Sequence, residues 1–442
     1  MDWEQLLSLK RFGDQYKRLR KEQNELRSGF EVDYDRIVFS QAFRSLQDKT
    51  QVIPFSKKDF VHTRLTHSLE VSVVARSLGR LAGAAILDKN PALQKIHGYT
   101  PDDFGAITAA AALAHDIGNP PFGHSGEKAI GEFFSRGAGQ QYEQALHPSQ
   151  WQDLCAFEGN ANGFKILTES LPGAPGGLRL SYATLGTFIK YPKMSLPKAS
   201  STDVAQKKFG IFQSDAPFFQ ELTQELGLQH PQGCYRHPLA FLVEAADDIC
   251  YTVIDFEDGI NLGWISEDYA LEYLLNLVRD RIDQQKYSQL QYKPQRISYL
   301  RALAIHSLIE DSVRVFMDHQ SEILQGTYPF ALTDKSRYQA QIEDIISLSV
   351  RRIYKSDEVM EKEIVGYQVI SRLLENFVPA AIRAMNATET NYDRLLLRHI
   401  PKQFELPKAD HYSTLLQVCC FVASLSDGQA KTLSDRLGGI KS

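Results

Sequence analysis

The sequence has few cysteines, and their arrangement does not suggest a covalently stabilised fold. Its 442 residues contain five cysteines, an odd number; two of them, Cys419 and Cys420, are adjacent, and no pair has the Cys-x-x-Cys spacing. These features argue against a disulfide framework and against a thiolate zinc site. We therefore expect reduced thiols in a reducing compartment.

Long hydrophobic runs and a strong charge of one sign are also lacking. No window reaches the roughly 18 apolar residues of a transmembrane helix. The first residues, MDWEQLLSLKRFGDQYKRLRKEQ, contain no apolar stretch of signal-peptide length. The formal net charge of −5 excludes the whole-protein basic surface of a dedicated nucleic-acid binder. We expect a cytoplasmic protein that does not contact a membrane.

Several common catalytic motifs are missing. The sequence has no GxxxxGK[ST] phosphate-binding loop and no convincing GxGxxG followed by an acidic partner. The glycine-rich stretch GAPGG at 173–177 has the pattern of a loop. No GxSxG is present, which gives acyl transfer by a serine nucleophile little support.

Helical periodicity dominates the chain, and alternation typical of strands is weak. Residues 67–84 place His67, Val71, Val74, Leu78 and Leu81 on one helical face. A buried helix over 104–117 is expected to stop at Gly118 and the Asn-Pro-Pro turn that follows. Further helices are predicted over 125–136, 237–256, 265–282, 296–325, 339–355, 358–376 and 410–426.

No domain boundary is evident, so residues 1–442 are predicted to form one helical unit. A core over 35–260 and a C-terminal helical region over 261–442 are its expected parts, with bounds taken from the family resemblance given below. Stretches rich in Pro, Gly and Ser at 136–149, 171–179 and 192–204 lie on either side of the helical piece SYATLGTFIKYP. An ordered island between loops suits a lid or a substrate-covering insertion near 171–204.

Four strong metal-ligand candidates accompany the apolar helical stripes. They are His67 in RLTHSLEV, the pair His115-Asp116 at the end of AITAAAALAHDIG, and Asp247 in LVEAADDICY. A hydrogen-bonded core histidine would explain His67 alone, but burying all four without a partner would be costly. Two imidazoles and two carboxylates suit Mn²⁺, Mg²⁺, Fe²⁺ or Zn²⁺, and the sequence does not choose among them.

Two further residues have the spacing of a general acid or base. His124 and Glu127 are three apart, so on a helix start their side chains can touch. A carboxylate that holds an imidazole in one tautomer prepares it for proton transfer. The alternative is that Glu127 caps the helix and His124 is solvated.

A third set of residues could bind a sugar and phosphates. Asp247, Tyr251 and Asp255 recur every four residues, so they share one side of a helix. The tyrosine could border a sugar or base, and Asp255 could accept a hydrogen bond from a hydroxyl; core packing and surface exposure are the alternatives. The candidates for phosphate contacts are Arg64, Lys190 and Tyr191.

The chain resembles a known family of HD-superfamily metal-dependent phosphohydrolases, the bacterial deoxyguanosinetriphosphate triphosphohydrolases. The combination of HDIGNPPFGHSGE with EAADDICY is highly specific. The resemblance spans about residues 35–260 and continues more weakly through RRIYKSDEVMEKEIVGYQVISRLL. The matching stretches are FRSLQDKTQVIP, TRLTHSLEV, AALAHDIGNPPFGHSGE, FEGNANGFKIL, LSYATLGTFIKYP, KKFGIF and RHPLAFLVEAADDICYTVIDFEDG.

This resemblance implies an all-α HD-domain fold and hydrolysis of a deoxynucleoside triphosphate to a deoxynucleoside and inorganic triphosphate. It implies a divalent ion, Mn²⁺ or Mg²⁺ first and Fe²⁺, Zn²⁺, Ni²⁺ or Co²⁺ as alternatives. The implied metal ligands are His67, His115, Asp116 and Asp247, and the implied catalytic pair is His124 with Glu127. Asp247 is preferred to Asp248 because the family's ligand precedes the tyrosine by four residues.

The resemblance also assigns substrate contacts and partners. Gln51 and Asp255 would contact the sugar 3′-hydroxyl, and Tyr251 would pack against the deoxyribose. A homo-oligomer, commonly a hexamer, and a nucleotide or single-stranded DNA effector are further implications. Contacts to the phosphates would come from Arg64, Lys190 and Tyr191.

The sequence departs from the family pattern near its C-terminus. FVASLSD stands where many relatives have a YIAGMTD-like stretch, and Cys420 falls where an aspartate is frequent. The alternative functions are an HD-type 5′-nucleotidase or phosphodiesterase, and a non-catalytic regulator that responds to nucleotides or single-stranded DNA. The base preference does not follow from the sequence.

Overall fold

The structure is a computed structural model that describes residues 1–24, 27–51, 62–171, 173–198, 202–404, 406 and 410–439. Over these residues the chain is almost entirely helical, which confirms the all-α prediction. The one named sheet in the described part is a short antiparallel pair, Gln229–His230 with Gly233–Cys234. The five cysteines are free thiols, and no helix among the described residues is long and apolar enough to cross a bilayer.

The α-helices α1 to α21 follow one another along the described chain. They are Trp3–Leu6, Gly29–Val38, Gln41–Arg44, Arg64–Lys89, Pro91–Lys95, Pro101–Ala114, Gly123–Ser135, Pro148–Cys155, Gly159–Thr168, Tyr182–Phe188, Ala216–Glu225, Pro238–Asn261, Glu267–Val278, Gln284–Gln289, Lys293–Asp318, Gln320–Gln325, Gln339–Ser349, Asp357–Met385, Asn391–Leu397, His411–Ser424 and Asp427–Leu437. A π-helical turn, Val350–Tyr354, separates α17 from α18.

Two apolar clusters form the interior. The first surrounds α4, α6 and α12 and includes Leu78, Phe104 and Ile249. The second lies among α7, α18 and α20 and includes Phe377 and Phe421. Most predicted site residues lie on α4, α7 or α12 or directly after α6, whereas Gln51, Lys190 and Tyr191 lie on connecting segments.

Helices α4 and α6 approach closely because α4 presents glycines to its neighbour. A Cβ added at Gly79 would lie 2.2 Å from Thr108 Oγ1, and one at Gly83 would lie 2.7 Å from the Phe104 ring. At its N-terminus, Thr63 caps α4 by accepting a hydrogen bond from the backbone of Thr66. The cap fixes where α4 begins, next to Arg64 and His67, and the glycine contacts hold the later turns of α4 against α6.

Several predicted helices differ from the observed ones. The helix predicted over 296–325 is divided into α15 and α16, and the one predicted over 358–376 continues to Met385. Two others differ at their ends close to the site. The helix expected over 104–117 begins earlier, at Pro101, and ends at Ala114, because proline is tolerated in a first turn and His115 serves as the C-cap. The helix expected over 237–256 continues to Asn261. The extra turn includes the buried Asp258, which accepts a hydrogen bond from His62 N at 3.2 Å.

The predicted lid region is packed into the protein. Helix α10 is buried along its whole length, and Thr187, Phe188, Lys190 and Tyr191 line one wall of a cavity. Movement of this region, the division at residue 260 and the assignment of all residues to one unit stay predictions.

Candidate active site

The histidines and the aspartate of the HD turn form a cluster that could hold a metal ion. His67, on the first turns of α4, and His115 and Asp116, at the end of α6, place ligand atoms within 4.8 Å of one another. The His67 side chain is 2% exposed, and its Nδ1 has no hydrogen-bond partner among the described residues. His115 Nδ1 donates to the Ala112 carbonyl at 2.7 Å, which leaves Nε2 with a free lone pair.

Asp247 brings the second predicted carboxylate to the same point from α12. Its Oδ1 lies 3.2 Å from His67 Nε2 and 3.7 Å from His115 Nε2. Three separate elements therefore converge, although they are up to 180 residues apart in the sequence. Two imidazole nitrogens and two carboxylates make a mixed donor set suited to a first-row divalent cation or Mg²⁺.

Positive charge next to the cluster keeps Asp116 ionised. Arg64 Nη1 donates to Asp116 Oδ2 at 2.7 Å, and the Asn119 amide donates to Oδ1. Burial alone would raise the pKa of Asp116, but Arg64, followed by His115 and His67, lowers it to about 2. Asp116 can therefore act as an anionic metal ligand, and one Arg64 nitrogen is already hydrogen-bonded to it.

The predicted catalytic pair is formed at the start of α7. His124 Nδ1 donates to Glu127 Oε2 at 2.7 Å, and the His124 side chain is 75% exposed. Glu127 Oε1 accepts a hydrogen bond from Gly159 N at 2.7 Å. Burial would raise the pKa of Glu127, but the hydrogen bond from His124 and the charge of Lys208 lower it. The ionised carboxylate orients the imidazole and leaves its Nε2 available for proton transfer.

Two lysines that line the cavity, Lys190 and Lys208, lie beside acidic side chains. Lys190 Nζ lies 3.5 Å from Glu244 Oε1 and 3.9 Å from Asp247 Oδ2. Lys208 Nζ lies 3.0 Å from Glu158 Oε2. A phosphate that enters the cavity could replace these carboxylates as the partner of each lysine. Charge-assisted hydrogen bonds from an ammonium to a phosphate are strong.

Tyr251 and Asp255 are connected through a tyrosine that the sequence analysis did not single out. The ring of Tyr251 stacks on that of Tyr354, with centroids 5.4 Å apart and planes at 17°. The Tyr354 hydroxyl donates to Asp255 Oδ2 at 2.5 Å. Asp255 is fully buried, so the alternative of a surface residue is wrong. Burial raises the pKa of Asp255 to about 6, against the lowering effects of His67 and Tyr354.

One cavity of about 290 Å³ joins these groups. All the predicted site residues except Asp255 line it, and Tyr354 stands between the cavity and Asp255. Gln51 also lines it, and its buried Oε1 has no hydrogen-bond partner within the part of the chain that the structure describes. A larger cavity of about 950 Å³ lies between α3, α20 and α21. The candidate ligands line the smaller one, so the chemistry rather than the volume identifies the site.

Among the lining residues that were not predicted as site residues, four make contacts with the site groups described above: Asn119, Lys208, Glu244 and Tyr354. Three lie inside stretches that carry the family resemblance, HDIGNPP, KKFGIF and LVEAADD, and Tyr354 lies in the weaker stretch that begins RRIYKSDE. A search for charged, amide or hydroxyl groups within those stretches would have found them.

Comparison with known proteins agrees with this geometry. Residues 64–149 match the family model described as HD domain. A Synechocystis protein named deoxyguanosinetriphosphate triphosphohydrolase-like is 40% identical, with 100% of both chains covered. A Pseudomonas aeruginosa protein of the same name is 37% identical, with 99% of both chains covered. The deoxyguanosinetriphosphate triphosphohydrolase of Cronobacter sakazakii is 30% identical over 87% of this chain and 84% of its own.

The HD-domain match covers the helices that carry His67, His115 and Asp116. The similarity to the relatives extends over nearly the whole chain and includes α12 with Asp247. From this agreement between full-length similarity and site geometry we conclude that the chain belongs to the family of deoxyguanosinetriphosphate triphosphohydrolases and their like, and is a phosphohydrolase with an HD domain.

Proposed function

We propose that this protein hydrolyses deoxynucleoside triphosphates, dGTP among them, to the deoxynucleoside and inorganic triphosphate, with the help of a divalent cation. The observation that carries the proposal is that the His–Asp cluster, the His124–Glu127 pair and several cationic side chains line one cavity. Relatives that are similar along the full chain bear the name of this activity or are named as like it. Operation in the cytoplasm and assembly into a homo-oligomer are parts of the same proposal.

The residues that would hold the cation are His67, His115, Asp116 and Asp247. The lone pair of His115 Nε2 and the ionised Asp116 fit this role, and the two carboxylates would balance a dication. When bound, such an ion polarises a phosphoryl oxygen and lowers the pKa of a coordinated water. The nitrogen and oxygen donors support Mn²⁺ or Mg²⁺ first, with Fe²⁺, Zn²⁺, Ni²⁺ and Co²⁺ as alternatives.

The cationic side chains would bind and orient the triphosphate. Arg64 is buried and Lys190 is partly buried, and both lie beside carboxylates. Tyr191 follows Lys190, whose ammonium is 5.8 Å from the centre of the Tyr191 ring. A triphosphate carries more negative charge than these local carboxylates and offers each cation a stronger partner. The cations would offset the charge that builds on the departing triphosphate.

The other end of the cavity would bind the sugar. Tyr251, stacked on Tyr354, offers a flat surface for the deoxyribose and disfavours a 2′-hydroxyl. The buried Gln51 Oε1, which has no hydrogen-bond partner among the residues that the structure describes, would accept a hydrogen bond from the 3′-hydroxyl. Asp255 would act through the Tyr354 hydroxyl that binds it. This end fixes the substrate relative to His124, which would transfer a proton to or from the reacting group.

The identity of the products tests the proposal. The purified protein is incubated with each dNTP and, separately, with Mn²⁺, Mg²⁺, Fe²⁺, Zn²⁺, Ni²⁺ or Co²⁺, and the products are separated by ion-exchange chromatography. We expect deoxynucleoside and inorganic triphosphate in equal amounts. Release of pyrophosphate from a dNTP, or of orthophosphate from a nucleoside monophosphate, would favour the 5′-nucleotidase or phosphodiesterase alternative. A set of incubations with single-stranded DNA or a second nucleotide tests an effector.

Metal affinity is expected to rise with pH. Burial alone would lower the pKa of His67, but the hydrogen bond to Asp247, and then the charges of Asp255 and Asp247, raise it to about 9. His67 is therefore protonated at neutral pH in the metal-free protein and must lose that proton to bind a cation. Affinity should increase by up to about tenfold per pH unit below this pKa.

Calorimetric titration of metal-free protein with Mn²⁺ checks this expectation. Titrations at about pH 6.5 and about pH 8, each in two buffers of different ionisation enthalpy, give the affinity and the protons released. About one proton per ion is expected at the lower pH. An affinity that does not change with pH, or no proton release, would contradict the role of His67.

A further inference from the structure

A buried carboxylate from the last helix joins two segments that border the active-site cavity. Asp427, the first residue of α21, is 3% exposed. Its Oδ1 accepts a hydrogen bond from Phe122 N at 3.0 Å. Its Oδ2 accepts one from Thr50 N at 3.1 Å and another from the Thr50 hydroxyl. These partners lie 305 and 377 residues away in the sequence.

Each of the two bound segments leads directly to a residue of the proposed site. Phe122 has a left-handed backbone, with φ of 63°, and precedes His124 by two residues. Such a conformation costs energy for a non-glycine residue and persists only where other contacts impose it. Thr50 directly precedes Gln51, which lines the cavity. Asp427 thus fixes the backbone before His124 and before Gln51 at the same time.

A second contact joins the same parts of the molecule. Lys49, 2% exposed, donates from Nζ to the Ala423 carbonyl at 2.7 Å and to the Asn119 carbonyl at 2.6 Å. The Asn119 amide in turn donates to Asp116. The junction between α20 and α21 therefore contacts the segment before Gln51 and the turn that follows the HD pair.

We propose that Asp427 is a positioning residue for hydrolysis, holding Gln51 and His124 at a fixed separation across the cavity. This inference rests on the proposed function. The stretch FVASLSD, in which Asp427 is the last residue, then belongs to the active-site scaffold. The C-terminal helices contribute directly to catalytic geometry.

The number of acceptors explains why an aspartate is needed. An ionised carboxylate offers only acceptors and can serve the Phe122 and Thr50 donors on both oxygens. In Asp427→Asn one oxygen becomes an NH₂ group, which opposes a backbone N–H on one side. The variant should keep one segment and release the other, and a displacement of about 1 Å in a catalytic group lowers rates on the order of 100-fold.

The matched control is Asp153→Asn. Asp153 is also fully buried, and it also binds a C-terminal helix, through the Tyr412 hydroxyl of α20. Its other donors are Gln213 N, at 2.7 Å, and the Ser195 hydroxyl. It lines neither side of the active-site cavity. Asp427→Asn should lower kcat/KM on the order of 100-fold, whereas Asp153→Asn should change stability and leave kcat/KM within about threefold of wild type.

Readouts that need no turnover separate this inference from the proposed function. Hydrogen–deuterium exchange of peptides covering 48–51 and 119–127 should increase in Asp427→Asn and stay unchanged in Asp153→Asn. Mn²⁺ affinity should stay within about threefold in both, because the candidate ligands keep their own hydrogen bonds. A wild type that lacks triphosphohydrolase activity would refute the proposed function, while the exchange result would still test the role of Asp427.

A pair of variants at Thr50 completes the test. Thr50→Val removes the hydroxyl donor and keeps the shape, so it should lower kcat/KM about tenfold, and Thr50→Ser should restore it. The proposal is overturned if Asp427→Asn folds with wild-type kinetics. It is also overturned if two results occur together. One is that the Asp427 and Asp153 variants lose activity only in proportion to their loss of thermal stability, and the other is that hydrogen exchange at 48–51 is equal in the two variants.

Discussion

His124→Ala is expected to lower kcat by about 10²- to 10⁴-fold, the usual contribution of a positioned general acid or base, while metal affinity stays unchanged. The imidazole donates from Nδ1 to the buried Glu127, so its other nitrogen is the one available for proton transfer. The candidate metal ligands lie on α4, after α6 and on α12, whereas His124 lies on α7. Removing its side chain therefore leaves the donors for the cation in place.

The protein contains a matched control for this variant. His319 Nδ1 also donates to a carboxylate three residues later, Glu322, at 3.0 Å, but His319 does not line the cavity. His319→Ala should keep wild-type kcat. Steady-state kinetics with saturating Mn²⁺, combined with Mn²⁺ titration of both variants, checks the expectation. An active His124→Ala enzyme would show that the His124–Glu127 pair has another role.

The helical periodicity of α4 predicted that His67 is buried, but it did not predict the whole buried face of the helix. His67, Val71, Val74 and Leu78 are buried as the spacing of three and four predicts. Leu81 is 47% exposed. Glycines make the tight contact with α6, and a prediction based on the spacing of large apolar residues does not include glycines. The close approach of the α4 and α6 backbones determines which face of the later turns of α4 is buried.

The buried position of Asp255 could not be predicted from its own helix. Spacing places it on the side of α12 that carries Asp247, but whether a carboxylate at a helix end is exposed depends on what covers it. Here the cover is Tyr354, from a π-helical turn 99 residues later, whose hydroxyl satisfies the carboxylate. Long-range pairs of this kind leave no periodic signal in the sequence.

The C-terminal contribution escaped sequence analysis for a related reason. FVASLSD stood out only as a departure from the family pattern, and local features of Asp427 suggest an ordinary first residue of a helix. Its partners, Phe122 and Thr50, are more than 300 residues away, and each offers a backbone N–H. A backbone donor has no sequence signature, so only the fold reveals that this carboxylate has three donors.

Asp247→Asn is expected to weaken Mn²⁺ binding by more than about 100-fold, and turnover should fall with it. Loss of a group that merely orients a metal ligand already costs 10- to 100-fold, and Asp247 would be a ligand itself. Its Oδ1 lies 3.2 Å from His67 Nε2 and 3.7 Å from His115 Nε2, so a cation among them would lose half of its carboxylate charge. The nearby His67, His115 and Lys190 hold the pKa of Asp247 far below its usual range, against the effect of burial.

The control variant is Asp248→Asn, which removes a carboxylate from the adjacent position of the same helix. Asp248 accepts a hydrogen bond from the Thr333 hydroxyl at 2.7 Å. Burial, followed by the charge of Glu244, raises its pKa to about 7, so a neutral amide resembles the protonated form already present near neutral pH. We expect Mn²⁺ affinity within about threefold of wild type for this variant. If Asp248→Asn lost the metal and Asp247→Asn kept it, the ligand would be the second aspartate, and α12 would have to present its other side to His67.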